Sequence, residues 1–446
     1  KRYTMNPQNA VNAFLGRYNF QSNGPDVNAA IAAMLYDMEE GLKADPVNPP
    51  GQGPALDMIP TWAAPPAESP RNTSVIVIDA GGTNFRSCLV SFDANGKAEI
   101  SDMQKTRMIA IDREYGKKEF FDTIAANIDY LKNKATRIGF CFSWPMTIQP
   151  NGDGRVTEFS KEVKAKEVVG SLIGENLVAS LKDRGWNQID KITLLNDTTA
   201  ALLAGASSAT DGKAYDSYVG FILGTGMNAA YIEYESIAKI AGKDSGSAQI
   251  VVCESGKCNK IPQSKFDEKL DATTTSPGLF GYEKKCSGAY LGPLGHIALS
   301  QAANDGIFST AVTALLKELD SLELKDMDQL FYTPYSTDTK LGVILAKGTE
   351  ADREIAYRIL DAVVERSARL AAANIAAAIL KSGKGNNPVK PVCVLCEGTT
   401  FLKTHNLKNR VIGYLNEVLT EQRGIWYELV SMDNAVTLGS AVAGLI

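Results

Sequence analysis

Three short segments of the chain carry residue types suited to chemistry on an anion or a hydroxyl group. The first is Asp79-Ala-Gly-Gly-Thr-Asn84, followed by Arg86. Gly81 and Gly82 let the backbone approach an anion and turn its N–H groups inward. Thr83 adds a hydroxyl, and Arg86 a fixed positive charge. Asp79 suits Mg²⁺ held through water, because that ion takes one or two carboxylates and keeps several waters. The second segment is Gly224-Thr-Gly-Met-Asn228, another glycine-rich turn with a hydroxyl at Thr225 and a second glycine at Gly226. The third is Leu194-Leu-Asn-Asp-Thr-Thr-Ala200, an apolar strand that ends in Asn196-Asp197 with a helix starting at the threonines. Asp197 is there either the helix N-cap or a carboxylate able to take a proton. Alone, either glycine turn is also an ordinary hairpin turn. Their pairing, and the Asp79 and Arg86 that flank the first, favour phosphate.

These segments need elements to hold them. Val75–Ile78 and Cys88–Val90 read as strands on either side of the first turn, and Val219–Leu223 and Ala229–Ile232 do the same around the second. Two such hairpins suggest an internal structural duplication, with both turns facing one ligand across a cleft. Further strands are expected at Arg137–Phe142, Lys191–Leu195 and Val392–Leu395. Helices are expected at Asp26–Leu42, capped by Asp26, at Thr349–Lys381, and from Ala435 to Ile446. Pro46–Pro70 holds eight of the 18 prolines and is expected to be an extended connector without a regular element. The mixture argues for an α/β protein.

Bulk properties remove several function classes. The net charge is −5, so there is no overall basic footprint for nucleic acid. No apolar run reaches the roughly 20 residues that span a bilayer, and Lys1–Ala10 lacks the apolar stretch of a signal peptide. Neither a nucleic-acid nor a membrane partner is expected. The seven cysteines lack disulfide-scaffold spacing, which suggests a reducing, cytoplasmic setting. Cys393-x-x-Cys396 lies in an apolar strand and reads as core. The two histidines have no metal-ligand spacing. There is no G-x-x-x-x-G-K-[ST] segment, which excludes a P-loop kinase.

Taken together, the motifs resemble the hexokinase family, in its eukaryotic hexokinase and glucokinase group. Asp79-Ala-Gly-Gly-Thr-Asn-Phe-Arg86 matches the family's D-x-G-G-T-N-F-R phosphate signature. Met58-Ile-Pro-Thr-Trp62 is similar to M-L-P-T, Gly139-Phe-Cys-Phe-Ser-Trp-Pro145 to G-F-x-F-S-F-P, and Phe159-Ser-Lys-Glu-Val-Lys-Ala165 to W-T-K-G-F-K-A. Leu195-Asn-Asp-Thr198 is similar to L-N-D-T, Gly224-Thr-Gly-Met-Asn-Ala229 to G-T-G-x-N-A, and Tyr282-Glu-Lys284 to Y-E-K. The resemblance implies a two-lobed fold of the actin and sugar-kinase (ribonuclease H-like) type with a hinged cleft. Residues 73–196 plus 434–446 would form the small lobe, and 1–72 plus 197–433 the large lobe. It implies transfer of the γ-phosphoryl of MgATP to the 6-hydroxyl of glucose or a similar hexose, with Asp197 as general base and with Lys161, Arg86 and Mg²⁺ neutralising charge. The sugar would meet Ser143, Ser160, Lys161, Asn196, Asp197, Asn228, Glu254 and Glu283. The phosphates would meet the two turns, Asp79 to Arg86 (Gly81, Gly82, Thr83 and Asn84 included) and Gly224, Thr225 and Gly226. The nucleoside would lie near Gly398-Thr399 and Gly439-Ser440.

The chain departs from the family at several points. Val252-Cys-Glu-Ser-Gly256 stands for N-x-E-W-G, Trp144 for Phe, Phe159 for Trp, and Glu397 for Asp. Ala435-Val-Thr-Leu438 stands where the family has a G-S-G-K run. The alternative reading is a catalytically silent sugar sensor on the same fold. Asp197, Lys161 and Arg86, which a sensor could dispense with, argue for the enzyme.

Overall fold

Valine and isoleucine alternate through residues 75–78, and both rows of side chains are buried. A strand with two buried faces needs a layer on each side. Ile76 and Ile78 share a core with Ile124 and Leu177, from the helices Lys117–Asn127 and Ile173–Asp183. Val75 and Val77 share one with Ala441 and Val442 of the C-terminal helix Ala435–Leu445. The computed structural model describes residues 6–21, 23–44, 56–81, 84–159, 163–207, 212–242 and 248–446. Four expected site residues, Gly82, Thr83, Ser160 and Lys161, lie outside the described residues.

In the first part of the described chain the strands are β1 Ile59–Pro60, β2 Thr73–Ala80, β3 Asn84–Phe92, β4 Ala98–Arg107, β5 Arg137–Phe142, β6 Met146–Ile148, β7 Gly154–Val156 and β8 Lys191–Leu195. The second part contributes β9 Ser217–Leu223, β10 Met227–Glu233, β11 Gln249–Val252, β12 Val392–Glu397 and β13 Tyr427–Val430. One sheet has the order β4-β3-β2-β5-β8, and the other β1-β11-β10-β9-β12-β13. The two frames repeat. In each, a hairpin pairs antiparallel (β2 with β3, β9 with β10), and its first strand pairs parallel with a later strand (β2 with β5, β9 with β12). A further parallel strand follows in each, β8 beside β5 and β13 beside β12. This is the duplication expected from the two hairpins. β6 and β7 form a separate small ribbon.

Two helices fill the space between the sheets. The C-terminal helix packs on β2 and β5, and Asp197–Ser207 packs on β9 and β12 as well as on the C-terminal helix. Their approach depends on missing β-carbons. A Cβ on Gly139 of β5 would lie 1.8 Å from the Ser440 carbonyl oxygen, and one on Gly439 would lie 1.7 Å from that of Ala200. Either residue larger than glycine would push helix off sheet or helix off helix.

The outer face of the second sheet is covered by the helix Glu350–Ser382. It starts with a capping box between Thr349 and Asp352 and stops at Gly383 in the left-handed conformation. Its alanine-rich stretch is buried almost all round, because small side chains allow neighbours on every side. Arg366 reaches from it to Asp267 through two hydrogen bonds of 2.8 Å each, in a pair that is almost wholly buried.

The expected helices at 26–42, 349–381 and 435–446 occur as Val27–Gly41, Glu350–Ser382 and Ala435–Leu445. Asp26 caps the first of these, accepting from the Ala29 N–H. Residues 46–55 of the expected connector lie outside the described residues, and the described part, 56–70, differs from the expectation in one respect. Within Pro46–Pro70, Ile59 and Pro60 form β1 and pair with Val252 and Val251. Proline is tolerated because β1 is an edge strand, where a missing N–H breaks no central ladder. All seven cysteines are free and buried, Cys393 and Cys396 among them.

Candidate active site

The C-terminal ends of the parallel strands converge. Asp79 pairs in register with Cys141, and Cys141 with Leu195, so β2, β5 and β8 end level. Just beyond those ends stand Gly81, Ser143 and Asn196-Asp197. The loop after β5 is tied to β2 by the Ser143 N–H donating to the Ala80 carbonyl at 3.1 Å. In α/β sheets this edge is where ligands bind.

The start of the helix Asp197–Ser207 decides between the two readings of Asp197. Asn196 is the capping residue: its Oδ1 accepts from the Thr199 N–H at 2.9 Å and from the Thr198 hydroxyl at 3.0 Å. Asp197 is therefore not needed as the cap. Its Oδ1 accepts the Thr198 N–H at 2.8 Å, which orients the carboxylate. Burial, reinforced by the nearby Asp79 charge, pushes its pKa up to about 6 against the pull of that N–H. A carboxylate there is ionised at neutral pH yet far more basic than an exposed aspartate.

From the second sheet come Asn228 on β10, Glu254 beyond β11, and Glu283 at the start of a short helix. The Asn228 side-chain amide donates to Glu254 Oε1 at 2.8 Å, and its Oδ1 accepts the N–H groups of Ala229 and Ser255. Glu283 Oε2 accepts the Met227 N–H at 2.9 Å. Burial raises the pKa of both glutamates, Glu254 to about 7, and the Asp197 charge adds to the rise in each. Glu254 is held at a φ of 54°, a left-handed conformation that costs a non-glycine residue on the order of 1 kcal/mol. Behind it, the buried Asn374 donates to the Ser255 hydroxyl at 2.9 Å. Ser255, which stands where the family motif carries tryptophan, is thus fully buried and partnered from the long helix.

These groups line one cavity of about 410 Å³. Ser143, Asn196, Asp197, Asn228, Glu254 and Glu283 are on its wall, with Thr225 and Gly226 at the second turn. Trp144, from the G-F-x-F-S-F-P segment, also lines it, as do Phe280 and Lys257, which were not expected. Trp144 packs with Phe142 and Phe159, so the aromatic exchanges at 144 and 159 keep an aromatic cluster. Lys257 had a signal in the sequence: it follows Glu254 by three residues, a spacing that returns to the same side of a tight turn.

A second cavity, of about 430 Å³, meets the first at Thr225. Thr399, Thr400, Lys403, Gly288 and Glu323 line it. Gly398 has a φ of 106°, and a Cβ there would be 2.2 Å from the Leu223 carbonyl oxygen, so only glycine lets the end of β12 meet the second turn. The Thr400 hydroxyl then donates to the Gly224 carbonyl at 2.9 Å. In the first turn, Arg86 Nη1 lies 3.1 Å from Asp79 Oδ2. Burial raises the Asp79 pKa despite that cation. Gly439 and Ser440 are not brought to either cavity. Gly439 abuts Ala200, and the buried Ser440 hydroxyl donates to the Val436 carbonyl at 2.7 Å within its own helix.

Family comparison agrees with the geometry. Two hexokinase models match, one over residues 17–207 and the other over 218–446. The chain belongs to the hexokinase family. Hexokinase-1 of Schizosaccharomyces pombe is 27% identical over 438 residues, covering 92% of this chain and 86% of that protein. Hexokinase-9 of Oryza sativa subsp. japonica is 29% identical over 381 residues, covering 79% and 72%. Among solved structures, a hexokinase of Schistosoma mansoni complexed with glucose superposes with a TM-score of 0.75 at 22% identity, covering 99% of this chain and 100% of that one. A second hexokinase crystal structure gives a TM-score of 0.78 over 99% of each chain, also at 22% identity. The fold is therefore that of the actin-like sugar kinases, and the activity is ATP-dependent hexose phosphorylation. A catalytically silent sensor is not indicated. No helix among the described residues is long and apolar enough to cross a membrane.

Proposed function

We propose that the 410 Å³ cavity binds glucose or a similar hexose, and that Asp197 takes the proton of the 6-hydroxyl as that oxygen attacks the γ-phosphorus of ATP and the bond to the β-phosphate breaks. The convergence of Ser143, Asn196, Asp197, Asn228, Glu254 and Glu283 on one wall carries this reading. Amides and carboxylates match the paired donors and acceptors of a ring of hydroxyls. A site of this kind rejects analogues that lack a hydroxyl far better than an apolar pocket does. Ser160 and Lys161 enter from the family resemblance alone.

Phosphoryl transfer asks mainly for positioning and charge neutralisation. Arg86, Gly81 and the second turn at Gly224, Thr225 and Gly226 are proposed to meet the phosphates, with Gly82, Thr83, Asn84 and Lys161 added by resemblance. The second cavity, with Thr399 on its wall and Gly398 the residue before it, suits the nucleoside. Mg²⁺ bound with ATP would neutralise phosphoryl charge. Asp79 fits it as a single half-buried carboxylate on the phosphate turn, since Mg²⁺ takes few protein ligands beside substrate phosphates. The lobes are proposed as residues 73–196 with 434–446, and 1–72 with 197–433. A cavity lined from both sheets supports closure around the sugar, which would exclude water from the transfer. Small-angle scattering should then report a more compact particle with glucose, and identical curves would count against closure. Seven free buried cysteines accord with a reducing, cytoplasmic setting.

The direct test is ADP release from MgATP with and without glucose, beside the Asp197→Ala protein. Glucose-dependent release that disappears in the variant supports the reading. Release in the variant at the wild-type rate would refute the role of Asp197.

A further inference from the structure

Among the described residues that line the hexose cavity, Lys257 is the only cation. Its position is fixed from several sides. Its Nζ is 2.6 Å from Asp57 Oδ2, on the connector that leads into β1. The same Nζ lies 5.8 Å from the centre of the Phe280 ring. Its backbone N–H donates to the Glu254 carbonyl at 3.0 Å, closing the turn that holds Glu254 in its left-handed conformation. Asp57 is itself anchored, because its carbonyl oxygen accepts from Lys239 Nζ at 2.6 Å. The ammonium is thus held one turn from Glu254, on the wall of the same cavity.

We propose that Lys257 is a positioning residue for hexose binding: clamped between Asp57 and Phe280, its ammonium holds Glu254 as a charged acceptor for a sugar hydroxyl. This rests on the reading of Glu254 as a sugar contact. The charge is needed because the cavity is crowded with acids. Burial works against an ionised Glu254, and the charges of Asp57 and Asp197 add to the effect, with Glu283 on the same wall. Lys257 is the largest influence in the opposite direction, followed by the hydrogen bond from Asn228. With all of these in place Glu254 titrates at about 7, at the edge of the working range, so loss of one cation should leave it protonated. Raising the pH should restore the carboxylate and the affinity with it.

The test is glucose Kd by calorimetry from about pH 6 to pH 9 for wild type, Lys257→Met, Lys257→Arg and Glu254→Gln, with kcat measured beside it. Methionine keeps an unbranched side chain of similar length and removes the charge. A rise of one unit in the Glu254 pKa would weaken binding about fivefold at pH 7 and hardly at all near pH 9. The arginine variant should stay close to wild type, and kcat at saturating glucose should move less than Kd. Wild type should release protons on binding glucose below about pH 7, measured by comparing buffers of different ionisation enthalpy. Unchanged affinity in Lys257→Met at every pH would overturn the proposal. So would an equal loss at every pH that arginine fails to repair, because that would be packing and not charge. If Glu254→Gln binds glucose as wild type does, the sugar-contact reading of Glu254 fails and this proposal falls with it. If Glu254→Gln is impaired and Lys257→Met is not, only this proposal falls.

Discussion

The two halves of this hexokinase are built on one strand plan and equipped for different work. One ladder step back from the turn, the first hairpin pairs Asp79 with Arg86, and the second pairs Ile222 with Asn228. The first hairpin thus presents a carboxylate and a guanidinium at the site's edge. The second presents an amide that organises Glu254 and a turn whose backbone takes up Glu283. The duplicated frame fixes where groups sit, and the residues at the strand ends decide what they do. On this account the first hairpin supplies the charged pair for phosphate, and the second hairpin supplies the amide that organises Glu254 toward the sugar, while Ser143 and Asn196 meet the sugar from the first sheet and the turn at Gly224, Thr225 and Gly226 meets phosphate from the second.

That division can be broken residue by residue. Arg86→Gln should lower turnover with MgATP by about 10²–10³-fold, the scale expected when one charge-stabilising donor is lost, while glucose binding holds. Asp79→Ile with Arg86→Asn, which gives the first hairpin the ladder pair of the second, should behave similarly and still fold. Asn228→Ala should do the reverse, weakening glucose by about 10–100-fold, since hydrogen bonds to charged groups contribute about 1.5–3 kcal/mol. If Arg86→Gln weakens glucose as much as Asn228→Ala does, the hairpins do not divide the work. Calorimetry with glucose and initial rates over ATP concentration separate the two.

Smaller effects sharpen the picture. Arg366→Ala leaves Asp267 buried and unpaired, and should destabilise the second half by about 3–5 kcal/mol in denaturant unfolding. Gly439→Ala should cost about 1–3 kcal/mol through the contact with Ala200, which joins the halves. Asp197→Asn should act in the opposite sense. A folded pKa of about 6, above the ordinary 3.8, means the ionised carboxylate is disfavoured by folding. That penalty is full above pH 6 and vanishes below about pH 3.8, so asparagine should stabilise the protein by about 1–3 kcal/mol at pH 7. A lower melting temperature for Asp197→Asn at pH 7 would contradict the burial argument.

Local patterns in the sequence carried much of this. The strand bounds at 137–142 and 191–195 follow from short apolar runs closed by polar residues, and the hairpins from glycine turns between such runs. What depends on distant partners was not legible. β1 exists because Ile59 finds Val252, far along the chain, in a stretch whose prolines argue against any element. Asn196, and not Asp197, is the cap, because two neighbouring side chains of similar reach compete for the same N–H groups and only the three-dimensional path chooses. Phe280 reaches the cavity through tertiary packing, without a motif, whereas Trp144 sits within the G-F-x-F-S-F-P segment. Gly439-Ser440 resembles a nucleoside segment, yet the glycine is needed where two helices touch and the serine is bonded within its own helix.

The most direct test of the account is glucose affinity measured beside turnover in the Asp197→Asn protein. Glucose should bind within a few-fold of wild type, because asparagine keeps the size and most of the polarity of the carboxylate. Turnover should fall by about 10²–10⁴-fold, the usual contribution of a general base. A kcat near the wild-type value would contradict the claim that Asp197 takes the proton, and the assignment of the base would move elsewhere in the cavity.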